Sequence, residues 1–130
     1  MYIRAMKNED IPEVSNLLCN CYRWLGNTEN LTLEFIDFLT KQRGSIETVI
    51  RESETETYLV AVCNDSDIAG MVSVNNNEIT KLYVDPKRHR QGVGQFLFKK
   101  AEEIITQNGY TKIIWAPSED LRYPFMSLWA

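Results

Sequence analysis

The sequence predicts an α+β fold in which a mixed, mostly antiparallel sheet is flanked by helices. Three observations lead there. Apolar residues recur at helical spacing over residues 11–50. Three runs rich in β-branched and aromatic residues, separated by short polar turns, occupy residues 58–84. One more amphipathic stretch and a last apolar run carry the chain to residue 115. A length of 130 residues suits one domain, 1–130, built on one core.

Tyr2–Met6 reads as a short first strand. Asp10 followed by Glu13 fits a capping box, and Pro12 is tolerated in a first helical turn. Ile11, Val14, Leu17, Leu18, Cys21 and Leu25 then lie on one face of a helix that Gly26 should stop. A second helix is expected from Thr32 to about Arg43, with Leu33, Phe35, Ile36 and Leu39 apolar and Gly44 at its end. Ile46, Val49 and Ile50 suggest another turn or two, and Glu52–Glu56 reads as an exposed acidic loop. Tyr58–Cys63, Ile68–Val74 and Glu78–Val84 are strand runs. Asn64–Asp67 and Asn75–Asn77 supply turn chemistry between them, and connections this short make an antiparallel meander. Asp85-Pro86 closes the third run, because proline cannot extend a ladder. A helix then runs from Gly92 to about Asn108, with Val93, Phe96, Leu97, Ala101, Ile104 and Ile105 on its apolar side. Thr111–Trp115 is the fifth strand.

Composition narrows the class of function. No apolar run approaches the roughly 20 residues needed to cross a bilayer, and the N-terminus lacks the pattern of a signal peptide, so a cytoplasmic protein is expected. A net charge of −4 provides no general attraction for nucleic acid or anionic membranes. Cys19, Cys21 and Cys63 have neither zinc nor redox spacing, and no metal is expected.

The unit that carries chemistry is strand Glu78–Val84, loop Asp85–Gln91 and the helix that opens at Gly92. The first N–H groups of a helix have no internal partner, and the helix dipole favours negative charge beside them. Gly92 and Gly94 have no Cβ to hold a pyrophosphate off the backbone, while Lys87, Arg88 and Arg90 concentrate positive charge. The phosphate loop ending in Gly-Lys-Ser/Thr is absent. The three-glycine dinucleotide fingerprint is also missing, since only two glycines occur, late in the chain.

Leu82-Tyr83-Val84-Asp85-Pro86 followed by Arg90-Gln91-Gly92-Val93-Gly94-Gln95 resembles the coenzyme A signature of the GNAT acetyltransferases. Tyr58–Cys63 with Asp67–Gly70 resembles that family's central hairpin, and Ile3 to Leu25 its first strand and helix. The resemblance covers residues 1–115 and leaves 116–130 as an atypical tail. It implies an acyl-CoA N-acyltransferase fold and transfer of an acetyl group from acetyl-CoA, as co-substrate, to the primary amine of a small molecule or peptide.

Roles follow residue by residue from the resemblance. Main-chain groups of Leu82, Tyr83 and Val84 would pair with the pantetheine arm. Backbone N–H groups from Arg90 through Gln91, Gly92, Val93 and Gly94 to Gln95 would hold the pyrophosphate, with His89 as a further phosphate contact. His89 stands where the family usually has Gln or Arg. Glu78 is the candidate general base and Tyr123 the candidate acid for the leaving thiolate. Family members continue past the fifth strand with a helix and two more strands, whereas this sequence has only Ala116–Ala130 there. The expected fold therefore lacks the last strands, and its open C-terminal edge is a candidate homodimer interface. A non-catalytic coenzyme A-binding module and a truncated acetyltransferase relative are the alternatives.

Overall fold

The computed structural model describes residues 1–115. Its strands follow chain order across one sheet: β1 Tyr2–Ala5, β2 Thr57–Val62, β3 Ile68–Asn75, β4 Glu78–Val84 and β5 Ile114–Trp115. β1 to β4 pair antiparallel and β5 joins β4 in parallel, as expected of a meander closed by a crossover helix. Asn76 has a φ of 57°, the left-handed conformation that asparagine tolerates and the tight β3–β4 turn demands. Among the described residues no helix is long and apolar enough to cross a membrane.

Helix α1 (Ile11–Thr28) lies on one face of the sheet and buries Val14, Leu18, Cys21, Tyr22 and Leu25. The expected capping box does not form. The Asp10 carboxylate instead accepts from the Lys7 N–H at 2.7 Å and from the Arg4 guanidinium at 2.6 and 3.1 Å, tying the helix start to β1. Glu13 accepts from the Ile68 N–H at 2.8 Å and ties the helix to β3. Gly26 does not stop the helix, which runs on to Thr28. It is a close-approach residue, since a Cβ there would lie 2.3 Å from Ile36 Cδ1.

The second helical stretch is α2 (Leu33–Phe38), capped by the Thr32 hydroxyl, followed by a π-helical turn at Leu39–Arg43. Leu33 departs from the expected apolar face and is solvent-exposed, while Leu39 is fully buried. Helix α3 (Ile46–Ser53) is capped by Ser45 and is longer than the predicted turn or two. Glu52 and Ser53 belong to it, so the acidic loop expected over Glu52–Glu56 is confined to Glu54–Glu56, of which Glu54 and Thr55 are exposed.

Helix α4 (Val93–Gln107) covers the other face. Val93, Leu97, Ala101 and Ile105 are buried at strict four-residue spacing. Phe96 falls outside that line and is exposed. Of the expected fifth strand Thr111–Trp115, the described residues in strand are Ile114–Trp115; Asn77 Nδ2 donates to Lys112 O at 3.2 Å just before them, and the Asn77 carbonyl accepts from the Ile114 N–H at 2.8 Å.

Candidate functional site

The site begins with a break in the register of β4. Val72 faces Leu82 and Ser73 faces Lys81, but Val74 faces Ile79, so Thr80 is an extra residue on β4. Such a bulge bends its strand. Among the described residues, β5 pairs with Glu78 and Ile79, before the bulge. Beyond it, Thr80–Val84 forms an edge that no described strand covers on the β5 side.

The polar groups on that edge can be assigned. The Asp85 N–H donates to Ala69 O at 2.8 Å, which makes Gly70 and Val84 a non-hydrogen-bonded pair in the antiparallel ladder. The N–H and C=O of Val84 therefore point to the open edge, as do those of Leu82 two residues back. Those of Tyr83 point to β3. Two side chains agree with this assignment: the buried Cys21 thiol donates to Val84 O at 3.2 Å, and His89 Nε2 lies 3.1 Å from the same oxygen.

From Val84 the chain turns directly into α4. Asp85 Oδ1 accepts from the Lys87 N–H at 3.0 Å and sets up the single 3₁₀ turn Pro86–Arg88. Arg90 and Gly92 then take left-handed φ values of 64° and 82°. Gly92 is the N-cap, and the Phe96 N–H to Gly92 O bond at 3.1 Å is the first four-residue bond from that cap. The N–H groups of Val93, Gly94 and Gln95 precede that bond and have no intrahelical partner of this kind. An added Cβ on Gly92 would meet nothing within 4 Å, so the space in front of the helix is open.

The loop side chains divide. Lys87, Arg90 and Gln91 are exposed. Arg88 is turned toward the β2–β3 turn, 3.7 Å from both Asp65 and Asp67, and is not free to add charge at the helix N-terminus. His89 is directed inward, its ring edge-on to Trp24 with centroids 4.8 Å apart and its Nε2 at Val84 O. The side chain ties the loop to α1 and to the end of β4.

On the α1 face, polar side chains gather around the bulge. Lys81 is ion-paired with Glu52 of α3, which also accepts from the Tyr58 hydroxyl at 3.2 Å. The Thr80 hydroxyl donates to Glu56 Oε1, and the buried Ser73 hydroxyl lies 2.7 Å from Thr80 Oγ1. Glu78 sits two residues before Thr80, half-buried, at the point where β4 and β5 still pair. Deeper in, the Tyr83 hydroxyl lies 3.3 Å from that of Tyr22, with the two rings edge to face. Burial raises the pKa of Tyr22, Tyr58 and Tyr83 above the ordinary phenol value, with Glu52 adding to the effect at Tyr58. All three stay protonated at neutral pH.

Sequence reasoning brought Leu82, Val84 and Gly92–Gln95 to one place and missed Ser73, Thr80, Glu56, Cys21 and Trp24. A signal for Thr80 was present. In Glu78-Ile79-Thr80-Lys81-Leu82-Tyr83-Val84 the apolar phase slips between Ile79 and Leu82, three residues apart instead of two, as a bulge requires. Tyr123 and the tail expected to carry the dimer edge lie outside the described residues. Among the described residues, no group of three or more His, Cys, Asp or Glu side chains could hold a metal ion.

The model of the acetyltransferase (GNAT) family matches residues 11–125. The chain belongs to the GNAT family. No curated protein matches it significantly. Solved structures of GNAT proteins share its fold at low identity. A PaiA N-acetyltransferase from Thermoplasma acidophilum, in complex with coenzyme A, is 22% identical over 83% of this chain and 73% of its own, with a TM-score of 0.72. A GNAT protein from Rhodopseudomonas palustris has a TM-score of 0.82 at 17% identity, covering 96% of this chain and 78% of its own. A ribosomal-protein-alanine N-acetyltransferase from Brucella melitensis has a TM-score of 0.63 at 14% identity, covering 100% of this chain and 92% of its own. In this GNAT chain, the β4 edge that no described strand covers and the glycine-bearing start of α4 are therefore parts of an acetyltransferase fold.

Proposed function

We propose that this GNAT protein transfers an acetyl group from acetyl-CoA to a primary amine by direct attack of the amine on the thioester. One observation carries the reading: a strand edge that no described strand covers leads without interruption into an open helix N-terminus. The edge offers the N–H and C=O of Leu82 and the N–H of Val84 to the amide-bearing pantetheine arm, the Val84 carbonyl being held by Cys21 and His89. The first N–H groups of α4 suit a pyrophosphate, in a field the helix dipole makes positive. The coenzyme A bound to the Thermoplasma relative supports the same assignment. Developing charge on the thioester oxygen is met by a main-chain N–H of the edge. Glu78, at the closed end of the β4–β5 split, takes a proton from the entering ammonium.

Acetyl-CoA at 100 times its dissociation constant adds about 2.7 kcal/mol of stability, a shift of several degrees in melting temperature. Gly94→Val abolishes the shift, because a branched side chain forced into this buried second position of α4 displaces the N–H groups that would hold the pyrophosphate. With an amine acceptor, free thiol is released, and Glu78→Gln lowers that turnover by about 10²–10⁴ while leaving the cofactor shift intact. A wild-type melting curve indifferent to millimolar acetyl-CoA overturns the proposal.

A further inference from the structure

An amine that enters as an ammonium ion must lose two protons to become an amide. The first leaves before attack. The second leaves the tetrahedral intermediate, whose nitrogen is positive once the N–C bond has formed. One carboxylate that has already taken the first proton is poorly suited to take the second, so the reaction calls for another acceptor beside the same nitrogen.

We propose that Thr80 and Glu56 form this second route. The inference rests on the acetyl-transfer reading above and deepens it. Thr80 is the bulge residue, two positions along β4 from Glu78 and two before Leu82, so its hydroxyl stands along the strand between the proposed base and the main-chain groups offered to the cofactor. Its single proton has two acceptors in reach, Glu56 Oε1 and, at 3.3 Å, Ser73 O, and the carboxylate is the nearer and the stronger of the two. Ser73 Oγ, 2.7 Å away, then has to be the donor in its own contact with Thr80 Oγ1. The Thr80 oxygen keeps a further lone pair for an incoming N–H. Lys81, the nearest cation in sequence, is paired with Glu52 and does not neutralise Glu56. Ser73 is fully buried in the middle of β3, a costly place for a hydroxyl without a partner, and its bond to Thr80 fixes the rotamer of the relay.

The step balances. Glu78 accepts the first proton from the ammonium. The nitrogen lone pair forms the N–C bond, and the carbonyl π pair moves to oxygen. The cationic nitrogen gives its proton to Thr80 Oγ1 as that hydroxyl gives its own to Glu56. The oxyanion re-forms the carbonyl, the C–S bond breaks with its electron pair on sulfur, and the thiolate takes a proton from water. Thr80 touches the reacting nitrogen and is the catalytic residue; Glu56 acts through it, and Ser73 positions it.

The two routes differ in pH dependence. The defect of Glu78→Gln shrinks as pH approaches the pKa of the acceptor amine, because solution then supplies the free base. A defect in the relay does not shrink, because the intermediate is born protonated at every pH. Turnover of Thr80→Val, Thr80→Ser, Glu56→Gln and Glu78→Gln is measured from pH 6 to 10, with the acetyl-CoA melting shift of each variant recorded alongside. The expected result is a loss of about 10²-fold for Thr80→Val and Glu56→Gln across the whole range, recovery in Thr80→Ser, and an unchanged shift in all four. Wild-type-like turnover of Thr80→Val, or a Thr80→Val defect that vanishes at high pH, overturns the relay while the acetyl-transfer reading stands. A wild type that neither binds acetyl-CoA nor releases thiol overturns both.

Discussion

Gly70 tests whether the two layers of the site are as tightly joined as the structure has them. It lies on β3 opposite Val84, with the first turns of α4 above it. A Cβ added there would sit 2.7 Å from Tyr83 O, 3.0 Å from Leu97 Cδ1 and 3.3 Å from Val93 Cγ1. The two side chains can give way by changing rotamer. The carbonyl cannot, because Tyr83 is held in the β3–β4 ladder. Gly70→Ala is therefore an overpacking change that forces strand from strand, in the range of about 1–3 kcal/mol. At roughly 4 °C per kcal/mol for a domain of this size, the melting temperature falls by about 4–12 °C. The displaced atoms belong to the end of β4 and the start of α4, so the acetyl-CoA shift shrinks as well. A second substitution locates the clash: Leu97→Val relieves the helix contact and leaves the carbonyl contact in place, so Gly70→Ala/Leu97→Val recovers little. Thermal melts with and without acetyl-CoA read both effects. A Gly70→Ala melting temperature within a degree of wild type refutes the reasoning, and full rescue by Leu97→Val moves the strain from the strand pair to the helix.

Two further outcomes follow from groups that bind the layers together. Asp10 is held below the ordinary carboxyl range, chiefly by the Arg4 guanidinium, so its folded pKa lies below its unfolded one. Its contribution is then complete above about pH 4 and is lost as pH falls through the folded value. Asp10→Asn costs about 1.5–3 kcal/mol at pH 7 and gives a flatter stability curve below pH 4 in urea titrations; an unchanged acid limb would show the pair to be idle. Burial pushes the Cys21 thiol well above the usual thiol range. In the folded protein maleimide at pH 7.5 labels Cys63 and spares Cys21 until denaturant is added, and equal labelling of the two would place Cys21 at the surface.

Much of this was legible in the residues themselves. Helix α1 and the meander could be read because their signals are local: apolar period, turn asparagines and the Asp85-Pro86 stop all act over a few neighbours. The glycine loop could be read for the same reason, since Gly92 needs φ > 0 at the place where the helix begins. Gly26 illustrates where local reading fails. A glycine after a helical run looks like a stop, yet the approach of Ile36 from another helix decides its use. In the sequence His89 and Arg88 both read as loop side chains placed to face a phosphate. Trp24 and Val84 draw one inward, while Asp65 and Asp67 draw the other aside.

The sequence by itself determined the antiparallel meander, helix α1 and the glycine turn that opens α4, because each depends on residues close together in the chain. Only the tertiary structure decided which main-chain groups of β4 turn away from β3 and which side chains form the Ser73–Thr80–Glu56 chain. Those depend on the β3–β4 register and on side chains brought together from three separate segments, a matter of register and packing that no local preference encodes.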